Sequence, residues 1–454
     1  MIILNKINDK ILQYLKMKHP SKISKIYLLK LSIPIFFANL AIPLVGLVDT
    51  GLMGHLSGTK YLVAVSISSS VITMVFWSFG FLRMGTVGLV AQALGRGDYR
   101  DIVSTTLRNI VIALFFALII IALRDLIISL INDFFETSDE TQILIKKYIS
   151  IRILSAPAEL VIYVLIGLYL GLQRTLISSF LVTFFSITNI IFSTFFVISM
   201  NLEVYGVALG TVLSAYLTVF IFLVSTYFFI KKQFKIIPKI NRVIVTKKII
   251  KLFSINFDLF IRTLFLTFAF LWIPYQGAKL GEDYLAANSI LMQFIVLAAF
   301  FLDAYAFSTE GVIGYTIGRK AKKSFLQAVS NSFKLSFFTG LIISIVYLFF
   351  FKKIISTLTN IDYLTFLSFG FAFWVILIPP IASFCYQFDG IFIGASQTTE
   401  IRNSMIFSVV LFILFSIYLI DNLGNHGLWL SLLFFMIIRA LTLNFYFPKI
   451  LRKF

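Results

Sequence analysis

The chain has 454 residues, 59% of them hydrophobic and only 13% charged, with a formal net charge of +19 and a mean hydropathy of +0.97. A soluble domain carries about twice that charged fraction, so a water-soluble enzyme or binding module is excluded. Nucleic-acid binding is excluded as well, because the basic residues cluster beside apolar runs and lack interleaved aromatics.

Residues 1–30 are Lys-rich (Lys6, Lys10, Lys16, Lys18, Lys22, Lys25, Lys30) and amphipathic. No apolar core precedes a small-residue cleavage site, so they do not form a cleavable signal peptide. They read as a cytoplasmic segment that either lies on the membrane surface or forms a partly ordered tail. Twelve apolar runs follow: 31–55, 61–82, 103–124, 143–171, 176–198, 204–230, 252–275, 284–307, 325–350, 364–394, 403–420 and 427–447. About 20 residues cross a bilayer as helix, whereas barrel strands are about 10 residues long and alternate. The expectation is an all-α integral membrane fold of twelve spans.

Shifted by 223 residues, the chain falls onto itself. Gly54, Gly58, Gly88, Gly95, Gly167 and Gly171 land on Gly277, Gly281, Gly311, Gly318, Gly390 and Gly394. Chance predicts about 0.6 such coincidences at one shift. Tyr61, Ser66, Arg96, Pro157 and Thr175 also land on identical residues, without a gap. Two copies of six spans have the same orientation, so two lobes related by a pseudo-two-fold axis along the membrane normal are expected. The divisions are 31–230 for the N-lobe, 231–251 for a basic linker broken by Pro238, and 252–454 for the C-lobe. Basic clusters before span 1, between spans 6 and 7, after span 8 and at the C-terminus fall on one side. The connection after span 3 instead carries Asp133, Glu136, Asp139 and Glu140. The positive-inside rule puts both termini in the cytoplasm, and the expected location is a bacterial inner membrane.

Proline within a span frees a backbone carbonyl and bends the helix. Pro34 and Pro43 in span 1, and Pro157 and Pro380 at matching places in spans 4 and 10, are the hinge candidates. Gly85–Gly88 and Ser308–Gly311 also match, near the inner ends of spans 2 and 8, and serve either close packing or hinging.

A lone cysteine, Cys385, excludes an intrachain disulfide. No phosphate-binding glycine loop, metal-spaced His or Cys, or nucleophile–base pair stands out, so neither enzyme chemistry nor a cofactor is expected. His55 and His426 fall near outer ends, where they are solvated. With no room for a nucleotide-binding domain, active transport would draw on an ion gradient.

Ionisable residues inside spans are costly and usually pair or function. Asp49 lies about 27 Å into span 1 at 1.5 Å per residue, with no basic neighbour one turn away on its own helix. A carboxylate so placed is suited to proton exchange. Asn189 in span 5 and Thr211 in span 6 are positioned to join it in the outer half of the N-lobe. In the C-lobe Asp258, Asp303, Glu310 and Asp389 sit low. Asp258 and Arg262 are four residues apart, so mutual neutralisation competes with function. Arg83 and Glu310 are expected to snorkel to the inner interface. Glu159 in span 4 faces Ala382 in the repeat and remains open.

The segment Pro43-Leu-Val-Gly-Leu-Val-Asp49-Thr-Gly-Leu-Met-Gly-His55 resembles the first span of the multidrug and toxic compound extrusion (MATE) family. Phe81-Leu-Arg-Met-Gly-Thr86, Val90-Ala-Gln-Ala-Leu-Gly95, Asn256-Phe-Asp258 with Arg262, Phe301-Leu-Asp303 through Glu310, and Phe388-Asp389-Gly390 are similar to its DinF-like branch. The resemblance covers about 30 to 450. It implies a monomeric two-lobe antiporter that expels organic compounds, cationic or amphipathic, from membrane or cytoplasm in exchange for H⁺ or Na⁺. By the family pattern Asp49 is the coupling carboxylate, with Asn189 and Thr211 beside it. Asp389 matches the acidic residue of span 10, and Asp258 the acidic region of span 7. Many relatives carry an Asp one turn after the span-5 Asn, where this chain has Ser193. One carboxylate fewer disfavours Na⁺, which prefers several oxygen ligands. The alternative is a flippase for lipid-linked sugars or lipids with a similar two-lobe build. That activity calls for a cleft lined with cations, whereas the buried ions here are mainly acidic. A membrane enzyme would need paired carboxylates for a metal, and a non-transporting scaffold would leave Asp49 unexplained.

Overall fold

The structure, a computed structural model, describes residues 23–56, 58–135, 137–234 and 243–454. Most of the N-terminal lysines, together with Pro238 and the heart of the expected linker, fall outside the described residues. Twelve helices are long and apolar enough to cross a membrane. Spans 1–6 are Lys25–Gly54, Thr59–Arg96, Tyr99–Ala122, Asp139–Gly171, Thr175–Ser199 and Glu203–Phe234. Spans 7–12 are Thr246–Leu280, Glu282–Gly318, Lys322–Leu358, Ala372–Gly394, Thr398–Leu423 and Asn425–Leu451. Two short helices, Arg124–Phe135 and Asp362–Gly370, join spans 3 to 4 and 9 to 10.

Several boundaries differ from the expected ones. Span 2 does not stop near residue 82. It tightens into a 3₁₀ turn at Ser78–Gly80 and continues as helix to Arg96. Span 8 likewise continues to Gly318. Gly85–Gly88 and Ser308–Gly311 therefore lie well inside their helices and not near their ends. In these stretches a Cβ on Gly88, Gly311 or Gly318 would meet a neighbour's backbone carbonyl, and one on Gly85 the side chain of Asn256. The expected run 364–394 is two helices, broken at Phe371.

The repeat is more complete in the backbone than in the sequence. Left-handed backbone pairs Gly58 with Gly281, Gly97 with Lys320, Gln173 with Ser396, and Asn201 with Gly424; Glu203 alone among the described positions has no such mate. Each pair is 223 residues apart. Gly58 and Gly281 keep the residue that tolerates φ near 130°, while Lys320, Gln173, Ser396 and Asn201 accept φ of 50–58° at helix ends. The same turn is thus kept where the glycine is not. One apolar core gathers Leu82, Ile149, Leu165 and Val207 and runs across the seam to Val312, Phe392 and Leu443; a second, within the C-lobe, gathers Leu291, Phe294, Phe412 and Trp429.

The lobes meet at the end that carries Lys25, Arg96 and Gly318, and the seam obeys the repeat. A Cβ on Gly95 would stand 2.9 Å from the Cα of Gly318, its own repeat mate. A Cβ on Gly88 would strike the carbonyl of Ile393, and one on Gly311 the carbonyl of Leu170, the residue 223 earlier than Ile393. The pseudo-two-fold axis therefore passes between spans 2 and 8, where only glycine permits so close an approach. Among the described residues, hydrogen bonds and ring contacts between the lobes run along span 1 as far as Phe36–Phe301, Phe36–Tyr305 and Asn39–Phe300. Beyond that level Ile42, Leu44 and Leu47 of span 1 are exposed.

Candidate functional site

In the N-lobe, spans 1, 5 and 6 bring Asp49, Asn189, Ser193 and Thr211 together. Spans 5 and 6 can approach because residue 210 is glycine: a Cβ there would lie 2.7 Å from Ser193 Oγ. Asn189 Nδ2 donates to Thr211 Oγ1 at 2.8 Å, and that hydroxyl donates to the Val207 carbonyl at 3.1 Å. Thr211 thereby fixes the amide orientation and leaves Asn189 Oδ1 unpaired. Ser193 Oγ and Asp49 Oδ1 are also buried without a hydrogen-bond partner. One turn beyond Ser193, span 5 widens to π-helix at Phe195–Ser199, a distortion common at functional sites.

The Asp49 carboxylate faces Ser193 and lies within the field of Arg152. The sequence offered no basic partner on span 1, and among the described residues none forms an ion pair with Asp49; Arg152, which acts on it, comes from span 4. Arg152 Nη1 itself bonds Glu159 Oε1 at 2.5 Å and also contacts Ser155. Glu159, left open on sequence grounds, is thus neutralised locally. Arg152 was missed because its partner is seven residues away, across the 3₁₀ turn Ile153–Ser155 that precedes Pro157.

In the C-lobe the expected Asp258–Arg262 pair does not form. Asp258 Oδ1 bonds Arg402 Nη1 at 2.6 Å, and Oδ2 accepts from Thr398 and Thr399 at 2.9 and 2.8 Å. Arg262 points instead at Asp389 Oδ2, which Arg439 Nη2 also reaches at 2.7 Å. Sequence spacing named a neighbour on the same helix; the packing of spans 7, 10, 11 and 12 supplies better ones. Arg83 and Glu310 do not snorkel. They pair across the lobes, Nη1 to Oε2 at 2.8 Å and Nη2 to Oε1 at 3.4 Å. The extended spans 2 and 8 continue thirteen residues beyond Arg83 and eight beyond Glu310. Arg439 and Arg402 were missed altogether, since each has its ion pair with a carboxylate of another helix.

Asp303 lies within the combined field of Arg83, Arg262, Glu310 and Asp389. Among the described residues no basic group forms an ion pair with it. Three carboxylates (Asp303, Glu310, Asp389) and three guanidiniums (Arg83, Arg262, Arg439) therefore share this end of the C-lobe. Six described carboxylates lie more than one turn inside a span. Glu159, Asp258, Glu310 and Asp389 have an ion pair, while Asp49 and Asp303 have none.

The proline sites are unequal. Pro34 and Pro43 lie inside one continuous helix. Gly46, Gly51 and Gly54 follow in the same span, and a Cβ on any of them would have nothing within 4 Å. Pro157 opens a helix segment. Pro380 lies inside one, and the Ile376 carbonyl that it frees accepts from Ser344 Oγ of span 9 at 2.5 Å. Outside the spans, Lys453 donates to the Ala395 carbonyl at 2.6 Å. Burial, with Lys251 nearby, lowers its ammonium pKa to about 8.

The MatE family model matches residues 34–195 and 259–419, once in each lobe. DNA damage-inducible protein F of Escherichia coli is 33% identical over 416 residues, covering 91% of this chain and 90% of the relative. Two solved structures superpose with a TM-score of 0.84 at 18% identity, covering 94% of this chain and 96% of theirs. One is a MOP superfamily transporter from Pyrococcus furiosus; the other is described as the outward-facing conformation of a multidrug resistance MATE family transporter.

Proposed function

The chain belongs to the MatE family, and on that premise we propose that it is a secondary antiporter that exports organic compounds, cationic or amphipathic, in exchange for H⁺. The observation that carries this reading is the Asp49 carboxylate, which has no ion pair among the described residues and whose buried Oδ1 lacks a hydrogen-bond partner, beside the unpartnered Asn189 Oδ1 and Ser193 Oγ. An ionised carboxylate in an apolar medium is strongly destabilised unless something neutralises it. Here that group is a cation arriving from outside the protein: the coupling ion in one state, the substrate in another.

The donor set favours H⁺ over Na⁺. It offers one carboxylate, one amide oxygen and two hydroxyls, and one of those hydroxyls is already engaged at both ends by Asn189 and Val207. A hard cation needs more oxygen ligands and more negative charge; a proton needs a single oxygen. Asp303, also without an ion pair, is the second candidate coupling group, in the other lobe.

The cycle is alternating access. Basic clusters support cytoplasmic termini; on that reading the joined ends of the lobes lie inside and the cleft opens outward. A proton from outside neutralises Asp49 and releases the cationic substrate. The exposed half of span 1 then moves about Pro43, where the glycines leave it free, and the lobes rock to the opposite access. Protonation drives this only if the two states hold the proton with different affinity. The difference is the burial of Asp49 between spans 1, 5 and 6.

Proteoliposomes holding the full chain test the proposal with ethidium as the organic cation. A pH gradient should drive its movement and a Na⁺ gradient should not. Asp49→Asn should lower the gradient-driven rate by about 100-fold, the loss of an essential group. Unchanged transport in Asp49→Asn would refute the coupling role. Translocation of a lipid-linked sugar in place of ethidium would refute the substrate class.

A further inference from the structure

The seam between the lobes is symmetric in its backbone and asymmetric in its charge. The approaches of Gly88 and Gly311, Gly95 and Gly318, Gly167 and Gly390, and Gly171 and Gly394 occur in pairs, once on either side of the axis. The Arg83–Glu310 pair occurs once: the repeat mates of Arg83 and Glu310 are Ala306 and Val87. Its side chains are 9% and 1% exposed, and the Arg83 guanidinium also lies 3.9 Å from the ring centre of Phe307. Among the described residues the other ion pair joining the lobes is Lys248–Asp101, whose lysine is half exposed and contributes little.

We propose that Arg83 and Glu310 form the inter-lobe latch that holds the closed end shut, and that each transport cycle must break it. This rests on the alternating-access reading. The glycine contacts are apolar and weakly directional, so they tolerate small sliding. The fork-to-carboxylate pair does not, because a guanidinium and a carboxylate must stay coplanar and close to keep two hydrogen bonds. Separating them in a water-poor seam leaves two buried charges until water enters. The latch therefore biases the resting protein towards the closed inner end and adds to the barrier for opening. Arg83 and Glu310 act here as positioning residues that set which end is open.

Ser308 supplies the reporter. It is buried, bonds Ser32 across the seam at 2.8 Å, and lies two residues from Glu310. In a Cys385→Ala background Ser308→Cys is the only thiol, and its maleimide labelling is followed on the purified full chain. Arg83→Gln and Glu310→Gln should each speed labelling by about tenfold or more, since either removes one partner of a buried pair. The charge swap, Arg83→Glu with Glu310→Arg, should return the rate towards that of the parent. Arg83→Lys, which keeps the charge but loses the fork, should fall between and covers the case in which a neutral variant does not fold. Labelling that stays at the parental rate in all single variants would overturn the latch, as would a swap that labels as fast as Arg83→Gln. Gradient-driven ethidium transport is measured on the parent in parallel. Normal transport with an unresponsive reporter defeats the latch alone; a responsive reporter without transport defeats the antiport reading and leaves the latch standing.

Discussion

Six carboxylates lie deep in the spans, and the way each is neutralised separates scaffold from chemistry. Asp389 is shared by two guanidiniums on different helices. Asp389→Ala strands both and should destabilise the protein by about 3–5 kcal/mol, the range for uncompensated buried charge. Arg262→Gln leaves Asp389 bonded to Arg439 and should cost less; thermal melting of the two variants in detergent checks the order. Asp49 behaves in the opposite way. No ion pair is lost in Asp49→Asn, so its melting temperature should equal or exceed that of the parent while transport fails. The depth of these residues was legible in the sequence, because counting along a helix gives height in the membrane. Their partners were not. Asp258 and Arg262 share a helix face, yet each binds across to another helix. Residue spacing reports neighbours along one helix only, and Arg402, Arg439 and Arg152 emerge from tertiary packing alone.

Helices were read correctly in number and less well in extent. Periodicity and apolar length gave twelve spans, but span 2 and span 8 continue through stretches with polar residues and glycine that looked like helix ends. Those stretches are helical because each glycine fits against a carbonyl of a neighbour, a condition invisible in one dimension. The prolines show the same dependence. Pro380 frees the Ile376 carbonyl, and Ser344 on span 9 satisfies it. Ser344→Ala should therefore cost about 1–3 kcal/mol, the penalty for an unsatisfied buried acceptor, although Ser344 is far from any charged group. Melting of that variant against the parent checks it. Gly95→Leu should do more than destabilise. Its side chain would press on Gly318 and Tyr315 at the closed end and wedge the lobes apart there. Faster labelling of Ser308→Cys in that variant is the expected result, and it would come from steric pressure instead of charge loss.

At the scale of the molecule, duplication builds the frame and its violations carry the charge. Paired glycines, paired left-handed turns and paired close approaches all repeat at 223 residues. Asp49, Asp303, Asp389 and the Arg83–Glu310 pair do not: the repeat sets Asp49 against Trp272, Asp303 against Gly80 and Asp389 against Ile166. The axis runs along the membrane normal, so it exchanges the two lobes and leaves the two ends of the molecule distinct. The charges distinguish one lobe from the other, and on the proposed reading they are where an ion gradient would act. The central claim is that Asp49 exchanges a proton for substrate. Proton release into weakly buffered detergent solution, measured as ethidium binds the purified full chain, tests it most directly. The account predicts that the parent releases about one proton per ethidium bound at a pH where Asp49 is protonated and that Asp49→Asn releases none. Equal proton release from Asp49→Asn and the parent would contradict it.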